Sequence, residues 1–407
     1  VLVEGLIIAG GYLAYNYIMN YDIYKLKYDW NAIMKENNVF NSKNQTFQLV
    51  KIRPADYGYF CIVNIPIGYS FEEFERLTHI IESNLKCMVE LEHDKFNGWI
   101  NMRLIKTKLK DLKFSPIPTK PHQLYLGYTF YDNVIVDMYI APNVLIGGLT
   151  GAGKTFGLYS TITNLIHNHD EKEIEIYITQ PGKTEMMIFE DCVQVKGFAK
   201  RINESLDMLE HIYNEFKRRE SLIEKLTKTK GIVDIKTYNK KMTDKLTHIY
   251  LISEELSLYM PDSVDSKEEK KIKSKCLDYL KLLIKLGRAY GIYIIMCLQK
   301  TTADQMPTLL KSEVYTKISY RQSDENTSRN IIGTDEAWGL PNREAIVISD
   351  NKYHIKTPEI NTDIIRQYIS HRIKPKERKE VKKTTTKPIQ PLPDGFIKRG
   401  GNYANRA

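Results

Sequence analysis

The stretch NVLIGGLTGAGKTF, residues 143–156, decides how the rest of the chain is read. The apolar run from Asn143 to Gly147 leads into Gly148-Leu149-Thr150-Gly151-Ala152-Gly153-Lys154-Thr155, which matches GxxxxGK[ST]. A helix-like segment, Phe156 to Ile166, follows. Strand, glycine-rich loop and helix stand in the order a phosphate-binding loop requires. Glycines are needed because backbone N–H groups must turn inward around phosphates at a helix N-terminus, where a Cβ would obstruct them. The expected nucleotide-binding residues are Gly148, Thr150, Gly151, Ala152, Gly153, Lys154, Thr155 and Phe156. Lys154 would contact the β- and γ-phosphates of ATP, and the Thr155 hydroxyl would meet Mg2+.

Hydrolysis at such a loop needs carboxylates at the end of a neighbouring strand. HIYLISEE, residues 248–255, supplies them, with Glu254 in the metal position and Glu255 as the group that orients and deprotonates the attacking water. The usual first residue is Asp, so Glu254 is a departure; two solvated acids opening a helix is the alternative. GIYIIMCLQK, residues 291–300, has a buried-strand pattern that ends at Gln299, where a γ-phosphate sensor would stand. Arg288 and Arg329 are the candidates for an arginine finger acting on a neighbouring subunit's nucleotide, against the alternative of structural ion pairs.

Outward from the loop, the apolar runs Ile174–Ile178, Ile249–Ile252, Ile292–Leu298, Val314–Tyr320 and Ala345–Ile348 alternate mostly with helical patterns. This predicts an α/β domain over 124–370, with a mostly parallel sheet and helices on both faces. Residues 41–113 carry short strand-like runs around one amphipathic helix, Ser70–Leu85, which predicts a small α+β domain. The Pro-rich 114–123 between them reads as a linker. Residues 1–19 are almost continuously apolar and long enough to cross a bilayer; a buried core helix or a signal-peptide remnant is the alternative. Residues 20–40 then read as a juxtamembrane segment, with Tyr21, Tyr24, Tyr28 and Trp30 as an interfacial belt. Lys25 and Lys27 set the following domains in the cytoplasm and the protein at the cell membrane.

The net charge of +9 is concentrated in the tail: residues 371–407 hold 11 Lys/Arg against 3 Asp/Glu, and the preceding 370 residues hold 48 against 47. Any polyanion site in the folded part must therefore be local, and the Lys/Thr/Pro-rich tail reads as disordered. With 407 residues, 42% of them hydrophobic, the chain has ample material for a core, which excludes collagen-like and wholly disordered classes. Five scattered cysteines with no CxxC indicate neither a disulfide framework nor a zinc site.

These motifs, in this order, resemble the FtsK/SpoIIIE group of P-loop motor ATPases over roughly residues 40–360. Asp137 with Ala141-Pro142-Asn143 is similar to the family's lead-in to the P-loop. Gln180-Pro181-Gly182-Lys183 resembles its DPK loop, and Glu215-Phe216-Lys217-Arg218-Arg219 with GIVDIKTYN (231–239) its E-M-x-R-R helix and following segment. LGRAYGI (286–292) with Leu298-Gln299-Lys300, and Thr327-Ser328-Arg329, resemble later family blocks. The resemblance implies a RecA-like motor domain on a small α+β domain, a ring of six around DNA, and Arg288 as the better finger. It implies catalytic roles for Lys154, Glu254, Glu255 and Gln299. Lys228, Lys230, Lys240, Lys241, Lys300 and Lys311 are the candidate DNA contacts. One membrane span, one motor and a short basic tail resemble the TcpA-like coupling ATPases of Gram-positive conjugative elements. Relaxase or relaxosome and conjugation-channel proteins would then be partners. A type VII secretion ATPase and a catalytically weak organiser are the rival readings.

Overall fold

The computed structural model describes residues 21–298 and 313–374. The stretch read as a membrane span, together with Gln299, Lys300, Lys311 and the tail from residue 375, lies outside them. Among the described residues no helix is long and apolar enough to cross a membrane.

The amino-terminal part comprises α1 (Tyr21–Glu36), β1 (Gln48–Ala55), β2 (Gly58–Asn64), α2 (Phe71–Arg76), α3 (Thr78–Leu85), β3 (Met88–Asp94) and β4 (Trp99–Ile105). The strands form an antiparallel sheet in the order β1-β2-β4-β3. Leu26, Trp30, Ile33 and Met34 recur at helical spacing along α1 and are all buried. Trp30 is therefore not part of an interfacial belt: it is 1% exposed, packs against Phe74 and donates its indole N–H to the Phe47 carbonyl at 2.8 Å. Tyr21, Tyr24 and Tyr28 are exposed. The helix expected over 70–85 starts with a Ser70/Glu73 capping box and is broken at Leu77, whose N–H turns to the Phe74 carbonyl.

The Pro-rich segment is pinned rather than free. The Ile117 N–H donates to Asn164 Oδ1 at 2.7 Å, Asn168 donates to the Ile117 carbonyl at 3.0 Å, and the Tyr250 hydroxyl donates to the Pro121 carbonyl at 2.7 Å. Proline removes backbone donors from this segment, and buried amides of the neighbouring helix take over the pairing.

The large part contains β5 (Gln123–Tyr128), β6 (Asn133–Asp137), β7 (Asn143–Gly147), α4 (Lys154–Asn168), β8 (Ile174–Thr179), β9 (Val195–Ala199), α5 (Ile202–Lys230), α6 (Ile235–Lys241) and β10 (His248–Ser253). It continues with α7 (Lys267–Leu286), β11 (Ile292–Leu298), β12 (Thr316–Tyr320), α8 (Glu325–Ile332), β13 (Glu344–Ile348), β14 (Lys352–Lys356) and α9 (Thr362–Ile369). Among the described residues its ten strands run in the order β6-β5-β14-β13-β12-β7-β11-β10-β8-β9. The six from β12 to β9 are parallel, and β6, β5, β14 and β13 join antiparallel. The sheet is thus mixed: the parallel run ends at β12, and β13 runs antiparallel both to β12 and to β14, to which a short turn joins it.

Every residue of β10 and β11 is buried, as expected of strands covered on both faces. Ile249, Leu251, Ile294 and Met296 pack under α5 and α7; Tyr250, Ile252, Tyr293 and Ile295 pack under α4 and α9. Residues 371–373, assigned above to the tail, are folded: Val193 N–H bonds the Arg372 carbonyl at 2.8 Å, and Ile373 bridges Cys192.

At the amino ends of the parallel strands, His122 stacks on Tyr139 with centroids 4.0 Å apart, and His248 stacks on Tyr293 with its Nδ1 3.1 Å from the tyrosine oxygen. Burial pulls the His248 imidazole down to about 3, with the charges of His122 and Arg219 adding to it. A histidine whose folded pKa lies below its unfolded value favours the fold above that unfolded value, and the contribution is lost as pH falls toward the folded one. Between pH 7 and pH 5 His248 is expected to remove about 2 kcal/mol of stability. The urea midpoint should fall over that interval and fall less in His248→Gln; equal falls would exclude His248 as the cause.

Candidate active site

The Gly148–Thr155 loop connects β7 to α4, at the centre of the sheet where the chain turns from one side to the other. Crevices outside the carboxyl ends of parallel strands at such a switch point bind ligands. Two glycines are required by contact as well as by conformation. Gly148 has φ +152, and a Cβ there would stand 2.7 Å from Tyr320 Cβ; Gly153 has φ +119, and a Cβ would stand 2.7 Å from Arg343 Cα. Gly153 caps α4, so the helix opens with its N–H groups toward the loop.

Lys154 is 8% exposed and folds back on its own loop, donating to the Gly148 carbonyl and, at 3.2 Å, to that of Leu149. Burial draws its ammonium below the ordinary value, opposed by the Cys297 thiol and the carboxylates of Glu255 and Glu254. The lysine and the acid pair therefore share one electrostatic environment.

Glu254 and Glu255 follow β10, and each is 6% exposed, so the solvated-acid alternative does not hold. β11 alone separates β10 from β7. At the usual strand spacing this sets the acids about 10 Å to one side of the loop strand, within reach of the terminal phosphate of a nucleotide seated on the loop. Glu255 Oε1 accepts from the Ser257 hydroxyl at 2.7 Å. Burial pushes the Glu254 carboxyl up, and Lys183 opposes the shift.

Lys183 is the residue missing from the sequence-derived site. Its Nζ lies 3.5 Å from Glu254 Oε1 and 3.6 Å from Glu255 Oε2, so one ammonium bridges both carboxylates. The only signal for it was the DPK-like loop in which it stands. Gln180, in the same loop, is fully buried and accepts from the Met186 N–H at 2.8 Å. Arg343 was also missed: its N–H donates to the Ala152 carbonyl at 2.9 Å, and its guanidinium bonds Asp111 and the Thr357 carbonyl. It thereby ties the segment preceding the Pro-rich stretch to the floor of the loop.

Among the described residues no group of three or more His, Cys, Asp or Glu side chains converges as a metal shell. Mg2+ in nucleotide sites is held by one or two protein oxygens plus phosphates and water. Glu254 Oε2, buried without a hydrogen-bond partner, and the Thr155 hydroxyl fit that donor set.

The other predicted residues do not join this cluster. Arg288 is exposed in the turn Gly287–Tyr290 that precedes β11, at the opposite edge of the sheet, one strand length of roughly 23 Å from the loop. It cannot reach the nucleotide of its own chain. Arg329 is paired within its own chain, with Glu325 at 3.1 Å and Asp335 at 2.5 Å. Lys228, Lys230 and Lys240 are exposed around the end of α5 and in α6. Lys241 Nζ caps the Lys230 carbonyl at 2.7 Å, a structural use.

A family model described as the FtsK/SpoIIIE family matches residues 119–329, which leaves the amino-terminal sheet outside the match. The DNA translocase FtsK of Borreliella burgdorferi is 24% identical over 212 residues, 51% of this chain and 26% of that protein. That of Treponema pallidum is 26% identical over 245 residues, 58% of this chain and 28% of that protein. The chain thus spans about a quarter of the length of these relatives. Among solved structures, the pCW3 conjugation coupling protein TcpA, in its monomer form with ATPγS, superposes with a TM-score of 0.60 at 19% identity, covering 86% of this chain and 99% of that one. EssC (ATPases 2 and 3) from Geobacillus thermodenitrificans gives 0.53 at 15% identity, covering 65% and 53%. At these identities the likeness is one of fold.

Proposed function

The chain belongs to the FtsK/SpoIIIE family, and we propose that it is an ATP-hydrolysing DNA translocase of the coupling-protein kind, anchored at the membrane and delivering DNA to a conjugation channel. The observation that carries the reading is the convergence of Lys154 with the buried pair Glu254 and Glu255 at the carboxyl edge of the parallel strands. The P-loop holds the phosphates, Thr155 and Glu254 would hold Mg2+, and Glu255 orients water for attack on the γ-phosphate. When bound, Mg2+ would neutralise charge that develops on the phosphates.

Arg288 supports assembly into a ring, taken here as a hexamer. An exposed arginine at the far edge of the sheet serves hydrolysis only if a neighbouring subunit presents its loop to it, so turnover is coupled to subunit motion. Exposed Lys228, Lys230 and Lys240, multiplied by the ring, supply sequence-independent contacts to the DNA backbone. The TcpA fold match accounts for nearly all of that structure and most of this chain, which supports the conjugative reading with relaxase or relaxosome and channel proteins as partners. The EssC match favours a second reading, a protein-secretion ATPase, over a smaller share of the chain.

The test is steady-state ATP hydrolysis by residues 21–407, a fragment that keeps Trp30 in its core, with no DNA, single-stranded DNA and duplex DNA at two salt concentrations. Stimulation by DNA of several-fold, lost at high salt and absent in Lys154→Ala, is the expected result. Lys154-dependent hydrolysis indifferent to both DNAs would move the assignment to secretion.

A further inference from the structure

The phosphate loop and the acid pair fix which way a nucleotide must lie. In the strand order β12-β7-β11-β10, the acids stand on one side of the loop and the connection from β12 to β13 stands on the other. A triphosphate whose γ end faces Glu254 and Glu255 therefore sends its nucleoside toward residues 321–343.

That connection is built against the loop. Leu149 N–H donates to the Arg321 carbonyl at 3.0 Å, and Arg343 N–H donates to the Ala152 carbonyl at 2.9 Å. Between these two anchors stands Trp338, 56% exposed. Its backbone is held tightly: its N–H bonds the Asp335 carbonyl at 2.9 Å, Gln322 N–H bonds the Ala337 carbonyl at 3.0 Å, and Ala337 N–H bonds Ser328 Oγ at 3.1 Å. Arg329 fastens Asp335 in turn. A large aromatic surface kept in water by an ordered loop is unfavourable in the isolated chain, and Trp338 forms a β-bridge with Gln322, the residue after Arg321, whose carbonyl takes the Leu149 N–H, which sets the Trp338 backbone about two strand spacings from the P-loop.

We propose that Trp338 is the stacking platform for the base of the bound nucleotide, a residue that sets the affinity of the site for the nucleoside end. The proposal rests on the P-loop reading above. Stacking of a base on an aromatic side chain is sequence-tolerant and strong enough to govern nucleotide affinity, and the ordered loop means little is lost in fixing the ring on binding. Arg329 is then a positioning residue, acting through Asp335 on the turn that carries the tryptophan, and its ion pairs have a use without a role on a neighbouring subunit.

The experiment is an equilibrium titration of the chain with ATP, ADP and inorganic tripolyphosphate, followed by tryptophan fluorescence and by calorimetry. Of the three tryptophans, Trp30 is buried and Trp99 lies on β4 in the amino-terminal sheet, so a nucleotide-dependent change reports Trp338. ATP and ADP should quench the emission and tripolyphosphate should not. Trp338→Ala should weaken ATP and ADP about tenfold and leave tripolyphosphate unchanged. Trp338→Phe should keep most of the affinity and lose the quenching. Unchanged ATP affinity in Trp338→Ala, or an equal loss for tripolyphosphate, would overturn the stacking role. ATP binding as tight in Lys154→Ala as in the parent would overturn the nucleotide site itself.

Discussion

Glu255→Gln is expected to bind ATP as the parent does and to hydrolyse it about 10²–10⁴-fold more slowly, the range for loss of a positioned general base. The substitution keeps the volume and the acceptor oxygen that takes the Ser257 hydroxyl at 2.7 Å, so the local structure has no reason to move. What it removes is the ability to take a proton from water. The loop glycines and Lys154, which hold the phosphates, belong to other elements and are not touched. Single-turnover hydrolysis with a parallel binding titration separates the two effects. A variant that hydrolyses ATP at the parental rate would reassign Glu255 to holding Lys183 and would favour the catalytically weak organiser.

Lys183 sharpens that expectation. Its ammonium stands between the two carboxylates at 3.5 and 3.6 Å, so one positive charge offsets part of the pair's negative charge, and Mg2+ and a γ-phosphate would have to rearrange it. A buried acid pair without such a cation would repel itself and take up a proton.

The parts of the site legible in the sequence are those written locally. Gly148–Thr155 declares itself because strand, loop and helix follow one another in the chain, and Glu254 and Glu255 because they end a run, His248–Ser253, that only a doubly covered strand tolerates. Lys183 meets those acids across 71 positions and Arg343 meets Asp111 across 232, distances over which periodicity carries no information. Trp30 is a different case, because its signal was local. An apolar run followed by aromatics reads as a membrane boundary, but the i, i+4, i+7, i+8 spacing of Leu26, Trp30, Ile33 and Met34 is the mark of a helix lying on a sheet. Likewise β14 (KYHIK) has too few apolar residues to announce a strand, and without it β13 passed for one more parallel element.

Arg219→Met is expected to destabilise the protein by about 2–3 kcal/mol, the cost of leaving buried acceptors without their donor while Glu215 keeps Arg218. Arg219 is 1% exposed and uses its whole guanidinium: Nε donates to Glu215 Oε1 at 2.7 Å, Nη1 to the carbonyls of Thr247 at 2.7 Å and Tyr290 at 2.9 Å, and Nη2 to Thr247 Oγ1 at 3.0 Å. Burial pushes the Glu215 carboxyl up, and the bonds from Arg218 and Arg219 more than reverse it. Methionine fills the space and leaves one acid and two carbonyls without this donor. Lysine does not rescue it, because three nitrogens in a fixed plane serve α5 and the entries to both β10 and β11 at once. Tyr290 lies two residues beyond Arg288, so the same clamp sets the turn that offers Arg288 to a neighbour. Urea unfolding should show the midpoint loss in Arg219→Met and in Arg219→Lys, and an Arg288→Ala protein should keep the parental midpoint while losing multi-subunit hydrolysis. A loss below about 1 kcal/mol in Arg219→Met would reduce the clamp to an ordinary surface pair and leave the R-R pair of the helix to be explained by contacts outside this chain.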